Sequence, residues 1–125
     1  MSPRVLLVDD SGMARRSTRR VLEQAGYEVV EAEDGLSALE RFAVDKPDIV
    51  LLDLVMKGMY GLDVLEKIRE MDPVARVIVI SADVQTSSRE LVQAAGASGF
   101  INKPAPPAEV VQMIEQVLKG AAPWN

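Results

Sequence analysis

The sequence predicts an α/β domain in which helices cover both faces of a parallel β-sheet. The chain has 125 residues, which is the size of one domain. Five short apolar runs alternate with five longer segments that carry helix start and stop signals. Strands that alternate with helices pair in parallel, because each helix carries the chain back to the edge where the previous strand began.

The five strands are predicted from short apolar runs, several of them rich in β-branched residues. The first and third runs are apolar nearly throughout, which is typical of strands buried on both faces. The second run is short, and the fifth is the shortest. The predicted strands are Arg4–Val8, Glu28–Glu31, Ile49–Leu52, Arg76–Ile80 and Gly99–Ile101.

Capping residues and helix breakers delimit the five helices. Ser11 and Asp34 are suitable N-caps, and Gly26 stands where a helix C-cap is expected. Proline ends a helix but suits its first turn. We expect one domain over residues 1–120, followed over residues 121–125 by a tail or the start of a linker. The predicted helices run from about Gly12 to Ala25, from Asp34 to about Val44, from about Leu62 to Met71, from Thr86–Ser88 to near Gly96, and from Pro106–Pro107 to near Lys119–Gly120.

The composition excludes several classes of function. Without cysteine or histidine, the chain has no disulfide, no thiolate nucleophile and no His-based triad, base or metal ligand. A net charge of −5 disfavours non-specific binding to nucleic acid. The apolar runs are too short to span a bilayer, and the N-terminus lacks a secretory signal pattern. We therefore expect a cytoplasmic protein whose chemistry uses carboxylates, hydroxyls and amines.

Polar residues follow four of the five predicted strands. In open α/β sheets the functional site lies beyond the carboxyl ends of the strands, where the strand order reverses. Taken singly, an Asp after a strand is usually a turn residue or cap, and a Lys is usually a solvated charge. Asp53 differs because it lies in the apolar stretch 49–56, where an unpaired carboxylate is costly. Strand 2 ends in nothing comparable. The residues after the other strands are Asp9 and Asp10, Asp53, Ser81, and Asn102 with Lys103.

Carboxylates, an amine and a hydroxyl at one edge of a sheet suit phosphoryl chemistry with a bound cation. Three neighbouring carboxylates repel one another, and oxygen ligands without His or Cys suit Mg²⁺. A carboxylate can also act as a nucleophile and form an aspartyl-phosphate. Lys103 and Ser81 supply an amine and a hydroxyl that can bind phosphoryl oxygens.

The order and spacing of these residues resemble the receiver domains of two-component signalling systems. The resemblance implies a flavodoxin-like (βα)5 doubly wound sandwich with a parallel five-stranded sheet of order 2-1-3-4-5. It also implies a cis peptide bond before Pro104. The likeness runs from about Arg4 to Leu118 and rests on Asp9-Asp10, on Leu-Leu-Asp53-Leu-Val-Met, on Ser81-Ala82 and on Phe100-Ile-Asn-Lys103-Pro104.

The resemblance assigns the phosphoryl group and the metal to particular residues. Asp53 is implied to accept the phosphoryl group, in a phosphorelay, from a histidine kinase or a small phosphodonor. Mg²⁺ is implied to be held directly by Asp10, Asp53 and the backbone carbonyl of Val55, and through water by Asp9. The only enzymatic activities expected are Mg²⁺-dependent self-phosphorylation and slow self-dephosphorylation.

The remaining implied roles concern signalling. Lys103 contacts a phosphoryl oxygen, while Ser81 and Phe100 move and re-shape the face made by helix 4, strand 5 and helix 5. The implied partners are a sensor histidine kinase or histidine phosphotransfer protein, a downstream target protein and a phosphatase. No direct contact with nucleic acid or membrane is expected.

Three positions depart from the family pattern or vary within it. Lys57 stands where Pro is common in the loop after Asp53, which predicts a more flexible loop. Ala105 stands where an aromatic residue often follows the Lys-Pro pair. Val55 cannot hydrogen-bond an attacking water, so we expect slow dephosphorylation, which Asp83 could partly offset.

Two other classes of function stay open on the sequence. The first is a phosphorylation-independent interaction module with the receiver fold, against which the complete set of site residues argues. The second is a Mg²⁺-dependent phosphohydrolase, which would need a general acid where Val55 stands. A dinucleotide-binding domain is disfavoured because no Gly-x-Gly-x-x-Gly turn follows strand 1.

The first helix carries a basic cluster. It is either a solvated face or a docking surface for a kinase or phosphotransfer helical bundle. The buried stripe of this helix is predicted to leave the basic residues facing outward. The cluster comprises Arg15, Arg16, Arg19 and Arg20, and the predicted stripe comprises Ala14, Thr18, Val21 and Ala25.

Overall fold

The computed structural model describes residues 2–82 and 85–121, so Asp83 and the tail residues 122–125 lie outside the described part. Strands and helices alternate as predicted, with boundaries that differ by one or two residues. No helix within the described ranges is long and apolar enough to cross a membrane. The strands are β1 (Arg4–Val8), β2 (Glu28–Ala32), β3 (Ile49–Asp53), β4 (Val77–Ser81) and β5 (Gly99–Asn102). The helices are α1 (Gly12–Gln24), α2 (Gly35–Asp45), α3 (Gly61–Met71), α4 (Thr86–Ala94) and α5 (Pro107–Leu118).

The strands form one parallel sheet of order β2-β1-β3-β4-β5, which confirms the predicted topology. The chain moves from β1 to one neighbour, β2, and then returns to the other side of β1 to form β3. Val8 at the end of β1 lies opposite Ala32 of β2 and Leu52 of β3. The strand order therefore reverses between β1 and β3, and the residues that follow these two strands emerge side by side.

Each face of the sheet has its own apolar core. Helices α2, α3 and α4 cover one face, and α1 and α5 cover the other. A slip of one residue in strand register would exchange the two faces, so both apolar rows fix the register. Large buried side chains of the first core include Leu6, Val50, Leu52, Leu65, Ile68 and Val79. Those of the second include Val5, Leu7, Leu22, Leu51, Ile101 and Ile114.

Strand alternation places several polar residues on the same face of the sheet as the second core. Successive side chains of a strand point to opposite faces, so every second residue shares a face. The rows of β1, β3 and β5 that face α1 and α5 include Leu7, Leu51 and Ile101. Two residues further along these rows come Asp9, Asp53 and Lys103. The sheet thus delivers two carboxylates and an ammonium to one side of its carboxyl edge.

The predicted helix caps are confirmed. The Ser11 side chain accepts a hydrogen bond from the Ala14 N–H, and Asp34 forms a capping box with Ser37. Hydrogen bonds from the Ser37 backbone and side chain lower the pKa of the Asp34 carboxyl. Gly26 follows the first helix with φ +97°, a conformation that glycine adopts without steric cost.

Helix α1 packs with a different stripe from the one predicted. Leu22 is fully buried in the second core, whereas Ala14, Thr18 and Val21 are only half-buried. Ala25 is exposed because the helix ends at residue 24. The stripe is therefore rotated toward Leu22, whose larger side chain buries more apolar surface than Ala25 could.

Candidate functional site

Three aspartates converge at the carboxyl edge of the sheet, between β1 and β3. Carboxylate oxygens of Asp9, Asp10 and Asp53 all lie within 4.8 Å of one another. Asp9 and Asp53 are buried, and Asp10 is exposed. The predicted convergence of these carboxylates is therefore present in the structure.

Lys103 supplies a positive charge to this cluster. Its Nζ lies 3.0 Å from Asp53 Oδ2 and 3.6 Å from Asp9 Oδ2. The Lys103 N–H donates to the Ser81 carbonyl at 2.8 Å, and the peptide bond to Pro104 is cis, as predicted. This ammonium pairs with two of the three clustered carboxylates, and Asp10 lies beside them without an ion pair to Lys103 among the described contacts.

Each carboxylate also accepts one backbone N–H. Such bonds fix the orientation of a carboxylate. All three come from the loops that leave β1 and β3. The pairs are Ser11 N–H to Asp9 Oδ1 at 2.9 Å, Val55 N–H to Asp53 Oδ1 at 3.2 Å and Lys57 N–H to Asp10 Oδ2 at 3.0 Å.

The hydrogen bond from the Lys57 N–H to Asp10 depends on a residue that departs from the family pattern. A proline at this position has no N–H and could not donate to Asp10. The amide of Lys57 instead ties the loop after β3 to the loop after β1. This contact restrains the loop that the missing proline was expected to make more flexible.

Among the described residues strand β2 adds no side chain to the acidic cluster, as predicted, but Glu31 near its carboxyl end pairs with an arginine that contacts the backbone of the cluster. Arg15 of α1 donates from Nη1 to the Asp9 carbonyl at 2.7 Å and from Nε to Glu31 Oε1 at 2.8 Å. Arg19 pairs with the other oxygen of Glu31. Arg15 and Arg19 are therefore held in ion pairs within the domain. The sequence signal was available: β2 neighbours β1, and Glu31 is a charged residue near its carboxyl end.

The donor set fits a hard divalent cation. Asp9, Asp10 and Asp53 offer oxygen ligands only, which suits Mg²⁺ better than a metal that prefers nitrogen or sulfur. A cation among them would offset the negative charge that Lys103 alone leaves uncompensated. The exposed position of Asp10 opens the cluster to solvent, from which an ion can enter.

Burial and charge act in opposite directions on the central pair. Burial raises the pKa of Asp53 and outweighs the hydrogen bond and charge of Lys103, which lower it. Burial lowers the pKa of Lys103, but the carboxylates of Asp53 and Asp9 outweigh it, so that pKa is raised. Ionised Asp53 is therefore costly for the fold, while Lys103 stays firmly protonated.

Replacing Asp53 by Asn is expected to raise the free energy of unfolding by about 1 kcal/mol near neutral pH in metal-free buffer. Because the folded-state pKa of Asp53 lies above the unfolded value, its contribution to stability is complete below about pH 4 and is lost as pH rises through the folded-state pKa. The gain from D53N should therefore shrink toward pH 4. Urea unfolding of both proteins with EDTA at the two pH values measures this. A D53N protein less stable than the native one at neutral pH would contradict it.

The chain matches a known family over most of its length. Residues 5–115 match the family model described as the response regulator receiver domain. The protein belongs to this family. The acidic cluster at the end of β1 and β3 is thus the pocket of a receiver domain, as the sequence pattern predicted.

Individual relatives agree with this assignment. The receiver domain is 41% identical over 120 residues to the chemotaxis protein CheY of Thermotoga maritima, and the match covers 95% of this chain and all of CheY. A LuxR-family two-component response regulator from Aurantimonas sp. SI85-9A1 superposes with a TM-score of 0.92 at 36% identity, covering 98% of this chain and 91% of that one. The CheY chain of a CheX–CheY–BeF₃–Mg²⁺ complex from Borrelia burgdorferi superposes with a TM-score of 0.86 at 34% identity, covering 91% and 87%.

The two residues predicted to switch lie at different depths in the fold, Ser81 at the carboxyl edge of the sheet and Phe100 within the core. Ser81 is the last residue of β4, is fully buried, and stands opposite Asn102 in the sheet register. Phe100 in β5 is buried in the core that α2, α3 and α4 cover. The movement of both on activation stays a prediction.

Proposed function

We propose that this receiver domain is a phosphorylation-driven switch in which Asp53 accepts a phosphoryl group. The observation that carries the proposal is the surrounding of Asp53. Its buried carboxylate lies 3.0 Å from the Lys103 ammonium and within 4.8 Å of the two aspartates that can hold a cation. The site therefore combines a nucleophile with groups that can offset the charge of a phosphoryl group.

In the proposed reaction an oxygen of Asp53 attacks phosphorus, and the bond from phosphorus to the donor breaks. With a phosphohistidine donor the bond that breaks is P–N, and the imidazole leaves with its electron pair; with an acyl phosphate it is P–O. Mg²⁺, when bound, offsets charge on the phosphoryl oxygens. Lys103 orients and stabilises the same oxygens, and the cation is proposed to be held directly by Asp10 and Asp53 and through water by Asp9. The backbone carbonyl of Val55 is proposed as a further ligand.

The relatives support phosphoryl chemistry with magnesium. The Borrelia burgdorferi complex contains CheY together with BeF₃ and Mg²⁺. BeF₃⁻ has the shape and charge of a phosphoryl group. In this chain the three clustered aspartates and Lys103 are placed to bind a divalent cation and a phosphoryl group.

Intact mass spectrometry tests the proposal. Native protein treated with acetyl phosphate and MgCl₂ should gain the mass of one phosphoryl group. EDTA should prevent the gain, and the D53N variant should show none. If the native protein gains no mass and also fails to bind BeF₃⁻ with Mg²⁺, the domain is a phosphorylation-independent interaction module instead.

The aspartyl-phosphate should be long-lived because Val55 is apolar. Val55 lies two residues after Asp53 and is 59% exposed. We expect its side chain to border the path by which water reaches the phosphoryl group. V55N would place an amide there that can orient a water molecule. We expect it to shorten the half-life of the adduct by about threefold to tenfold. Loss of the adduct after removal of the phosphodonor, followed by mass, measures this; an unchanged half-life would contradict it.

The phosphodonor protein is proposed to dock on the side of the domain formed by α1 and α5. A groove between these helices leads to Lys103 and is lined by Thr18, Val21, Ala105 and Val110, among others. The small side chain of Ala105 keeps this groove open. A sensor histidine kinase or a histidine phosphotransfer protein could reach Asp53 from here. The target protein and a phosphatase are proposed to use the face of α4, β5 and α5.

The exposed half of the basic cluster should aid this docking. Arg16 and Arg20 are exposed, unlike the paired Arg15 and Arg19. R16E/R20E is expected to slow phosphotransfer from a histidine kinase by about tenfold, because charges at the rim of an interface act mainly on association. Acetyl phosphate should phosphorylate this variant at the same rate as the native protein. Equal kinase-dependent rates in both proteins would remove the docking role.

The proposed switch needs no enzymatic activity beyond the reactions at Asp53. Self-phosphorylation and slow self-dephosphorylation at Asp53 are sufficient for a switch, and signalling then depends on protein contacts. We place this switch in the cytoplasm, where a sensor kinase would phosphorylate it.

A further inference from the structure

Arg15 connects strand β2 to the backbone of the acidic pocket. Its Nε donates to Glu31 Oε1 at 2.8 Å, and its Nη1 donates to the Asp9 carbonyl at 2.7 Å. The side chains are largely covered, with 16% of Arg15 and 25% of Glu31 exposed. We call this arrangement the Glu31–Arg15–Asp9 bridge.

The bridge is anchored on the sheet. Glu31 lies within the parallel ladder, next to its last pair and opposite Leu7 of β1, so its backbone is fixed. Burial disfavours ionised Glu31, but hydrogen bonds from Arg19 and Arg15 outweigh it and lower the pKa of the carboxyl. The planar guanidinium presents donors in a rigid fork, which lets one side chain hold two acceptors at once.

The bridge ends at the peptide group that joins Asp9 to Asp10. The carbonyl of Asp9 belongs to this peptide, so fixing its plane fixes the direction in which the next residue leaves. Asp10 is exposed. Among the hydrogen bonds of the described residues, its carboxylate accepts one from the Lys57 N–H, which is a second restraint on this residue. A loop that carries two carboxylates of a repelling cluster needs such restraints to keep both near Asp53.

We propose that Arg15 is a positioning residue for the cation site, because it holds the Asp9–Asp10 peptide in the orientation that lets both carboxylates bind Mg²⁺. This inference rests on the proposed function. It makes Glu31, on a strand outside the pocket, part of the machinery that shapes the pocket. Arg15 itself touches neither the cation nor the phosphoryl group in this role.

Charge and geometry predict opposite results for the loss of Arg15. Removing a positive charge beside an acidic pocket strengthens cation binding by simple electrostatics. Removing a positioning contact weakens it. Arg19 provides the matched control, since it pairs with the same Glu31 but makes no hydrogen bond to Asp9.

Magnesium titrations test the proposal on R15M, R19M and native protein, with amide resonances of the loops followed by NMR. We expect R15M to weaken Mg²⁺ binding by about tenfold and R19M to stay within about twofold of the native protein. At saturating Mg²⁺, the rate of phosphorylation of R15M by acetyl phosphate should return close to the native rate. If R15M does not fold, R15Q replaces it, because it loses the same charge and its shorter side chain cannot hold both acceptors.

The outcomes separate this inference from the proposed function. Native or tighter Mg²⁺ binding by the Arg15 variant would overturn the positioning role while leaving the switch intact. Equal weakening in R15M and R19M would also overturn it, since Glu31 rather than the Asp9 contact would then be responsible. If the native protein itself shows no saturable Mg²⁺ binding, the proposed function fails first.

Discussion

Replacing Gly61 by alanine is expected to destabilise the protein by about 3 kcal/mol. A Cβ atom at this position would lie 2.6 Å from the Asp53 carbonyl oxygen and 2.7 Å from the Leu54 Cα. Both are backbone atoms of buried residues at and just after the end of β3, so neither can rotate away. The Gly61 N–H also donates to the Leu54 carbonyl at 2.8 Å, and this bond would be strained by any outward shift.

The same substitution should damage the site as well as the fold. The backbone at Gly61 lies directly against the backbone of Asp53. We therefore expect relief of the clash to move the Asp53 carboxylate away from Lys103. Denaturant unfolding and the phosphorylation rate both report on this. G12A is the control, because its Cβ would meet the flexible end of Arg16 at 3.3 Å rather than backbone. We expect G12A to change stability by less than about 0.5 kcal/mol, and a similar small change in G61A would contradict the packing argument.

The fold was predictable because its main signals are local. The apolar runs that form β1 and β3 are short and each meets an aspartate at its carboxyl end, which is more typical of a buried strand than of a helix. Ser11 and Asp34 cap helices through contacts three residues away, which a sequence shows directly. The strand order came from the family resemblance, and sequence patterning alone did not decide it.

Parts of the site were predictable because parallel strands bring their ends together. Asp9, Asp53 and Lys103 lie at the carboxyl ends of β1, β3 and β5 on the same face of one parallel sheet, so their meeting is a consequence of strand order and alternation. The resemblance supplied their chemical roles. Residue type and position along the chain were sufficient to predict this cluster, because the parallel sheet brings the strand ends together.

The contacts that were not predicted depend on loop geometry. The Lys57 N–H reaches Asp10 because of how the loop after β3 turns, and the lysine side chain gives no sign of it. Arg15 and Arg19 were expected to face outward, yet both reach Glu31 across the gap between helix and sheet. Whether a surface arginine is solvated or paired depends on distances between elements, which sequence spacing does not determine.

Replacing Lys103 by methionine is expected to lower the rate of phosphorylation by acetyl phosphate by about 100-fold or more. Its Nζ lies 3.0 Å from Asp53 Oδ2, so it is placed to bind the phosphoryl oxygens that develop charge during transfer. Methionine preserves the length of the side chain and removes only the charged donor. K57M is the matched control, because its backbone N–H still holds Asp10 while the other lysine beside the pocket is lost. A K103M rate within threefold of K57M would refute the role of the ammonium.

Stability measurements on K103M test the same contact without any phosphodonor. The hydrogen bond and charge of Lys103 lower the pKa of Asp53 against burial, so their loss should raise that pKa further and make ionised Asp53 more costly. We expect K103M to lose about 1 kcal/mol of unfolding free energy near neutral pH, less than for a fully buried pair because Lys103 is about one-third exposed. The loss should be smaller toward pH 4, where a larger fraction of Asp53 is protonated because its pKa is raised. In the double variant D53N/K103M most of it should disappear, because the carboxylate that Lys103 compensates is gone. A loss of equal size in the D53N background would mean that Lys103 stabilises the fold through packing, and the electrostatic account of the pair would then be wrong.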